Sequence, residues 1–183
     1  EIWVALLNGA TLCIIPDGAR RNHNQLKKTI NEYHINYLLL PTGYFHQLIK
    51  SFPETIDTVH TVAFGGEQVN CNLLKNFINY RKKSDLPTKL VNVYGPTEAT
   101  VFSCCNIINL ENLLTDEQLS SIGMKTRNTQ IYVVNESGQL AEEGELCVSG
   151  VHLALSYHNN PEQTKDKFTE NPFDYKDKLY SRM

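Results

Sequence analysis

The sequence predicts an α/β fold: a largely parallel sheet flanked by helices, followed by a small β-rich, barrel-like subdomain. Three observations predict it. Short runs that are nearly apolar throughout occur at Thr11–Ile15, Ile35–Pro41, Val59–Phe64 and Leu90–Tyr94. Between them lie segments whose apolar residues recur at helical spacing, the alternation expected of a parallel sheet covered on both faces. After about Cys105 the rhythm changes to short β runs separated by turn signals. With 183 residues the chain suits one ordinary domain or two small subdomains. The change of rhythm divides it into 1–105 and 106–183, the second part incomplete at its C-terminal end.

Each element has a local cause. Glu1–Leu7 reads as the end of a helix stopped by Asn8-Gly9. Thr11–Ile15 reads as a strand closed by Pro16-Asp17-Gly18. Asn24–His34 places Leu26, Ile30 and Tyr33 on one helix face, with Asn22 or Asn24 as its cap. The strand Ile35–Pro41 leads into a helix over Thr42–Lys50 with Phe45, Leu48 and Ile49 facing inward. Val59–Phe64 is a strand that runs straight into Gly65-Gly66-Glu67. Asn72–Arg81 is a helix with Leu73, Leu74, Phe77 and Ile78 inward, and Arg81–Thr88 a solvated loop. Beyond Cys105, Gln130–Val134 and Glu145–Ser149 are strands on either side of an Asn135–Gly138 turn, and Pro161–Phe168 a short helix. Trp3 is read as core, Tyr132 and Tyr157 as packing residues, and His152 and His158 as solvent-facing.

Composition excludes several classes. A 41% hydrophobic, 20% charged chain is not globally disordered. Net charge is -3, which gives no basic surface for nucleic acid. No apolar run approaches the roughly 18 residues of a membrane helix. Five scattered cysteines make neither a disulfide scaffold nor a Cys/His metal site, and they fit a reducing cytoplasm. The chain opens on Glu, without a leader, and closes on Lys-Leu-Tyr-Ser-Arg-Met, so it reads as an internal piece of a longer polypeptide.

In a parallel sheet, ligands bind beyond the carboxyl ends of the strands. Two unusual segments fall there: Gly65-Gly66-Glu67, and Asn92–Thr100. In the second, Tyr94 offers a flat apolar face, Thr97 a hydroxyl among backbone N–H groups, and Glu98 a carboxylate. A phosphate would repel that carboxylate unless a cation lay between them, so the set suits a nucleotide with Mg²⁺. The same residues also describe an ordinary turn with a half-buried tyrosine and a solvated Glu. The glycine pair answers equally to a turn that needs positive φ and to close approach of a ligand.

The segment NVYGPTEAT resembles the adenine- and phosphate-binding motif of the adenylation domains of nonribosomal peptide synthetases, members of the adenylate-forming superfamily. EIWVALLNGATLCIIP, FGGEQV, and GELCVSG followed by SYHNNPEQTKDKF resemble further segments of that family, in the same order. The likeness covers nearly the whole chain. It implies a two-step reaction: an amino acid carboxylate attacks the α-phosphorus of ATP, then a carrier-protein phosphopantetheine thiol takes the acyl group. It implies Tyr94 against adenine, Asn92 and the Val93 carbonyl at the adenine edge, and Gly95 in the turn. Thr97 and Glu98 become catalytic, on the α-phosphate and on Mg²⁺ respectively. Gly65, Gly66 and Glu67 lie on the nucleotide side. Matching substrate-pocket positions are Leu39, Ala63, Gly65, Val93, Val101 and Phe102. All are apolar, which implies an aliphatic amino acid.

The implied partners are the amino acid, a peptidyl carrier domain, the rest of the adenylation domain and neighbouring synthetase domains, with neither nucleic acid nor membrane. One departure stands out. Ala154-Leu155-Ser156-Tyr157 replaces the family's Ala-Arg-Gly-Tyr, which puts a local contact in doubt. The family's phosphate loop, amine-binding Asp, ribose-binding Asp and catalytic Lys are not in this sequence, so the piece alone is expected to be inactive. Two other readings remain: an acyl- or aryl-CoA ligase of the same superfamily, and a degenerate, non-catalytic adenylation domain.

Overall fold

A computed structural model of the chain describes residues 2–82, 89–110, 114–174 and 180–182. The chain forms two compact units, Glu1–Val91 with Ile108–Ser120, and Asn92–Ile107 with Ser121–Met183. The division therefore runs through two strands, whereas the change of sequence rhythm falls near Cys105.

In the first unit α1 (Ile2–Leu7) is followed by irregular chain, then α2 (His23–Glu32), β1 (Tyr37–Pro41), α3 (Thr42–Ser51), β2 (Thr61–Gly65) and α4 (Cys71–Arg81). Helix α2 starts at Asn22, whose side chain accepts hydrogen bonds from the Asn24 and Gln25 N–H groups at 3.0 and 3.2 Å. Helix α4 starts at Asn70 in the same way, its Oδ1 accepting from Leu73 N–H at 3.1 Å. Strands β1 and β2 pair in parallel, with Leu39 opposite Ala63 and Pro41 opposite Gly65. The pleat sorts their side chains. Leu38, Leu40, Val62 and Phe64 join one apolar core with Leu26, Ile30, Leu48, Leu74, Phe77 and Leu119. Phe45 of α3 anchors that core, stacked on Phe64 at 4.3 Å between ring centres and edge-on to Phe77 at 6.1 Å.

Strands β3 (Lys89–Tyr94), β4 (Cys104–Ile108) and β5 (Met124–Lys125) complete a five-stranded sheet in the order β1-β2-β3-β4-β5, with β5 antiparallel to β4. The short α5 (Asp116–Ser120) lies in the first unit, and Lys75 of α4 pairs with its Asp116 at 2.6 Å.

The second unit carries β6 (Thr129–Val134), β7 (Glu145–Gly150), α6 (Pro161–Lys167), β8 (Phe168–Thr169) and β9 (Tyr180–Arg182). The β strands form an antiparallel sheet of order β6-β7-β9-β8. Barrel-like closure is not among the ladders of the described residues. Val134 and Cys147 form its small core with Tyr132, Leu153 and Phe173.

Four expectations are corrected. Thr11–Ile15 is irregular, not a strand. An apolar run becomes a strand only where a neighbouring edge supplies a ladder, and Ile14 lies exposed instead. Trp3 is 72% exposed, because no residue of α1 is buried. Arg81 is not in a solvated loop; it closes α4, buried, with Nη1 2.8 Å from Asp57 Oδ1. Its neighbours 83–88 lie outside the described residues. His152 is half-buried, not solvent-facing. No disulfide joins any of the five cysteines, and among the described residues no helix is long and apolar enough to cross a membrane.

Candidate functional site

The candidate residues fall into the two units, and each group has its own geometry. In the first unit, Leu39 and Ala63 are register partners on β1 and β2, and Gly65 follows two residues after Ala63 on the same face. This face is opposite the one that builds the core, and neither Leu39 nor Ala63 belongs to that cluster. Leu39 and Gly65 are half-buried and Ala63 is buried.

Beyond β2 the chain turns at Gly66 with φ +99°, a conformation that side-chain-bearing residues rarely adopt. An added Cβ there would meet open space. The need for glycine is thus conformational rather than a matter of crowding. The Glu67 carbonyl accepts a hydrogen bond from the buried Thr42 hydroxyl at 3.2 Å, which ties the turn to the start of α3. His46 also backs this turn, its Nε2 accepting from Asn70 N–H at 3.0 Å.

In the second unit the motif leaves β3 through a tightly closed turn. Asn92 is buried, and its Nδ2 donates to the Ser121 carbonyl at 3.0 Å. Val93 is buried as well and Tyr94 is half-buried. Burial, and secondarily the nearby Cys104 thiol, pushes the Tyr94 phenol above its ordinary range. The Tyr94 carbonyl accepts from Ser103 N–H at 2.8 Å, so the chain returns directly past its own exit. Thr97–Ala99 makes one 3₁₀ turn, with Thr97 exposed and Ala99 buried. Thr100 and Val101 then take positive φ values of 55° and 102°. For a β-branched residue such as Val101 that conformation is strained. Val101 is exposed and Phe102 half-buried.

The Glu98 carboxylate has a partner that local sequence does not reveal. The Tyr157 hydroxyl donates to Glu98 Oε1. This bond first, and a backbone hydrogen bond second, hold the Glu98 carboxyl below its usual range, while burial opposes them. The same bond pushes the Tyr157 phenol up to about 12. Both shifts describe one state, an ionised carboxylate accepting from a neutral phenol. Tyr157 is therefore not simply a packing residue, although its ring does rest edge-on against Phe168 at 5.4 Å. The segment around it holds the turn at two further points. Ala154 N–H donates to the Glu98 carbonyl at 2.7 Å, and the Thr100 hydroxyl donates to the His152 carbonyl. Leu155, at the site of the family's Arg, is exposed. The one sequence signal for Tyr157 is its place in the Gly-Tyr-like segment; its partner lies 59 residues away.

Chemically, the second unit offers an aromatic face, an exposed hydroxyl and an ionised carboxylate on one turn. The first offers a glycine turn and one apolar strand face. Among the described residues no three His, Cys, Asp or Glu side chains are grouped as a metal cage. A single ionised carboxylate does fit Mg²⁺, which takes one or two protein carboxylates and completes its shell with water and substrate phosphates.

Residues 1–158 match the family model described as AMP-binding enzyme. Surfactin synthase subunit 1 of Bacillus subtilis (strain 168) is 32% identical over 184 residues, covering 98% of this chain and 5% of that protein. PA1221, an NRPS protein containing adenylation and PCP domains, is similar in structure, with TM-score 0.85 and 28% identity over 100% of this chain and 36% of that one. The Klebsiella oxytoca NpsA N-terminal subdomain in complex with anthranilyl-AMSN gives TM-score 0.78 and 27% identity over 100% of this chain and 45% of its own. The chain thus spans a small part of the synthetase and less than half of either solved structure.

Proposed function

The chain belongs to the AMP-binding enzyme family, and on that premise we propose that it supplies part of the active site of an adenylation domain that activates an amino acid with ATP and loads it on a carrier-protein phosphopantetheine thiol. The observation that carries this reading is the turn after β3. It holds Tyr94 half-buried, Thr97 exposed and Glu98 ionised within five residues.

In the proposed reaction the substrate carboxylate attacks the α-phosphorus of ATP and pyrophosphate leaves. Tyr94 stacks on adenine. The Val93 carbonyl and the Asn92 amide face the adenine edge; Asn92 Nδ2 gives one of its two N–H groups to the Ser121 carbonyl. Gly95 lets the turn close, and Thr97 donates to the α-phosphate. Glu98 holds Mg²⁺, which when bound neutralises phosphate charge. Gly65, Gly66 and Glu67 shape the nucleotide side of the first unit. Catalysis of this kind rests on alignment and on charges fixed in advance.

Substrate-side residues are proposed for each unit by itself: Leu39, Ala63 and Gly65 in the first, and Val93, Val101 and Phe102 in the second. All six are apolar, which supports an aliphatic substrate such as leucine, isoleucine or valine. Apolar pockets separate such neighbours by only about 1–3 kcal/mol, so the proposal stops at the class. One observation favours an aryl acid as the second reading: the NpsA subdomain was solved with anthranilyl-AMSN.

The test is acid-dependent ATP–pyrophosphate exchange by the intact adenylation domain that carries these residues, across aliphatic amino acids and aryl acids. Exchange with an aliphatic amino acid, reduced about a hundredfold or more in Glu98→Gln, supports the reading. Exchange only with acids lacking an α-amine supports the second, aryl-acid reading. A folded domain that exchanges with no acid is a degenerate one.

A further inference from the structure

We propose that Tyr157 is a positioning residue for the Glu98 carboxylate, holding it in the orientation that a divalent cation on the nucleotide requires. The proposal rests on the reading of Glu98 as the cation-side carboxylate. Its own ground is geometric: the phenol hydroxyl donates to Glu98 Oε1 across 59 residues of sequence.

A free glutamate on a surface turn samples several rotamers, and binding a cation would have to select one. A hydrogen bond from a fixed donor removes that choice beforehand, as the outer partners of metal-ligating side chains do. Tyr157 is itself fixed at both ends. Its backbone N–H donates to Thr164 Oγ1 at 3.0 Å, while that hydroxyl donates to the Asn160 carbonyl at 2.7 Å. Its ring lies edge-on to the buried Phe168.

The turn does not need Tyr157 to keep its backbone shape. Ala154 N–H on the Glu98 carbonyl and Thr100 on the His152 carbonyl hold it independently. Loss of the phenol oxygen should therefore free the carboxylate and leave the fold.

The experiment is Mn²⁺ binding by the intact domain with a non-reactive α,β-methylene analogue of ATP, followed by electron paramagnetic resonance. Tyr157→Phe and Glu98→Gln are compared with the parent, and thermal unfolding and the substrate KM are measured alongside. The expected result is Mn²⁺ binding about tenfold weaker in Tyr157→Phe, with the unfolding midpoint and the substrate KM unchanged. Unaltered Mn²⁺ affinity in Tyr157→Phe, with weakened binding in Glu98→Gln, overturns the positioning role and leaves the reading of Glu98 standing. Unaltered affinity in both variants overturns both. Should Tyr157→Phe fail to fold, 3-fluorotyrosine at position 157 keeps the ring and alters the donor. A shifted Mn²⁺ affinity then supports the role and an unshifted one overturns it.

Discussion

Gly95 and Val101 approach so closely that an ideal Cβ on Gly95 would lie 2.3 Å from the Val101 carbonyl oxygen. Ser103 N and Phe102 Cα stand at 2.7 and 2.8 Å from the same point, so the obstruction is backbone and cannot swing aside. Gly95→Ala is expected to destabilise the fold by about 3 kcal/mol, as overpacking does. Gly66→Ala is a useful contrast. Its added methyl meets open space, so only the strain of φ +99° is incurred, about 1 kcal/mol. Urea unfolding of both variants checks the order; a Gly66→Ala loss equal to or larger than that of Gly95→Ala would show that the tight turn is not the constraint.

Asp57 and Arg81 form a lopsided ion pair. The Arg81 side chain is 2% exposed and that of Asp57 27%, at 2.8 Å. Arg81 Nη1 also donates to the Asp57 carbonyl at 3.0 Å, and the Tyr80 hydroxyl donates to Asp57 Oδ2 at 2.9 Å. Asp57→Ala would remove the carboxylate that faces a buried guanidinium, with an expected loss of about 3 kcal/mol. Replacing both partners, Asp57→Ala with Arg81→Met, should cost clearly less than the sum of the two single losses, because no charge is left behind. A double-mutant cycle by denaturant unfolding decides it; additive losses would mean that the two charges do not depend on one another.

The sequence showed the helices and strands between residues 23 and 94 because each carries its own period and punctuation: Asn22 as a cap, Pro41 and Gly65-Gly66 at strand ends. What it hid depends on partners far along the chain. Cys104–Ile108 has no alternation to mark it, yet it is β4, placed by its neighbours in the sheet. Arg81 looks like the first charge of a solvated run until Asp57 is seen opposite it. Glu98 stands on the turn that the sequence singles out after Tyr94, whereas its partner Tyr157 looks like packing because nothing local predicts a contact across 59 residues. Thr11–Ile15 errs in the other direction, since its composition suits a strand but no ladder holds it.

Helix α1 presents Ile2, Trp3, Val4, Leu6 and Leu7, all exposed, with Ile14 exposed nearby in sequence. An apolar surface of this kind marks an interaction surface or an association liability. This chain alone is expected to self-associate with rising concentration. Its single tryptophan, Trp3, should emit like indole in water and be quenched by iodide at low concentration. Leu6→Lys with Leu7→Lys should lower the association seen by sedimentation without changing unfolding, because neither side chain is part of the core. Blue-shifted, unquenched emission from dilute chain would contradict the exposure of α1.

His46 gives the first unit a pH dependence whose sign can be worked out. Its Nε2 accepts a hydrogen bond from Asn70 N–H at 3.0 Å, and only the neutral ring can do so. Burial lowers its pKa from the ordinary imidazole range, and the Glu67 carboxylate partly offsets that. The unfolded chain therefore binds a proton at a higher pH than the folded one. Stability from this group is complete above the unfolded value of about 6.5, and is lost as pH falls through the folded value. The urea midpoint should drop from about pH 7 toward about pH 5, and His46→Gln should flatten this part of the profile. Glu67→Gln removes the opposing charge and lowers the folded pKa further. It should leave stability near neutrality unchanged and deepen the loss in acid. A parent midpoint that rises rather than falls toward acid would mean that the carboxylate, not burial, governs His46.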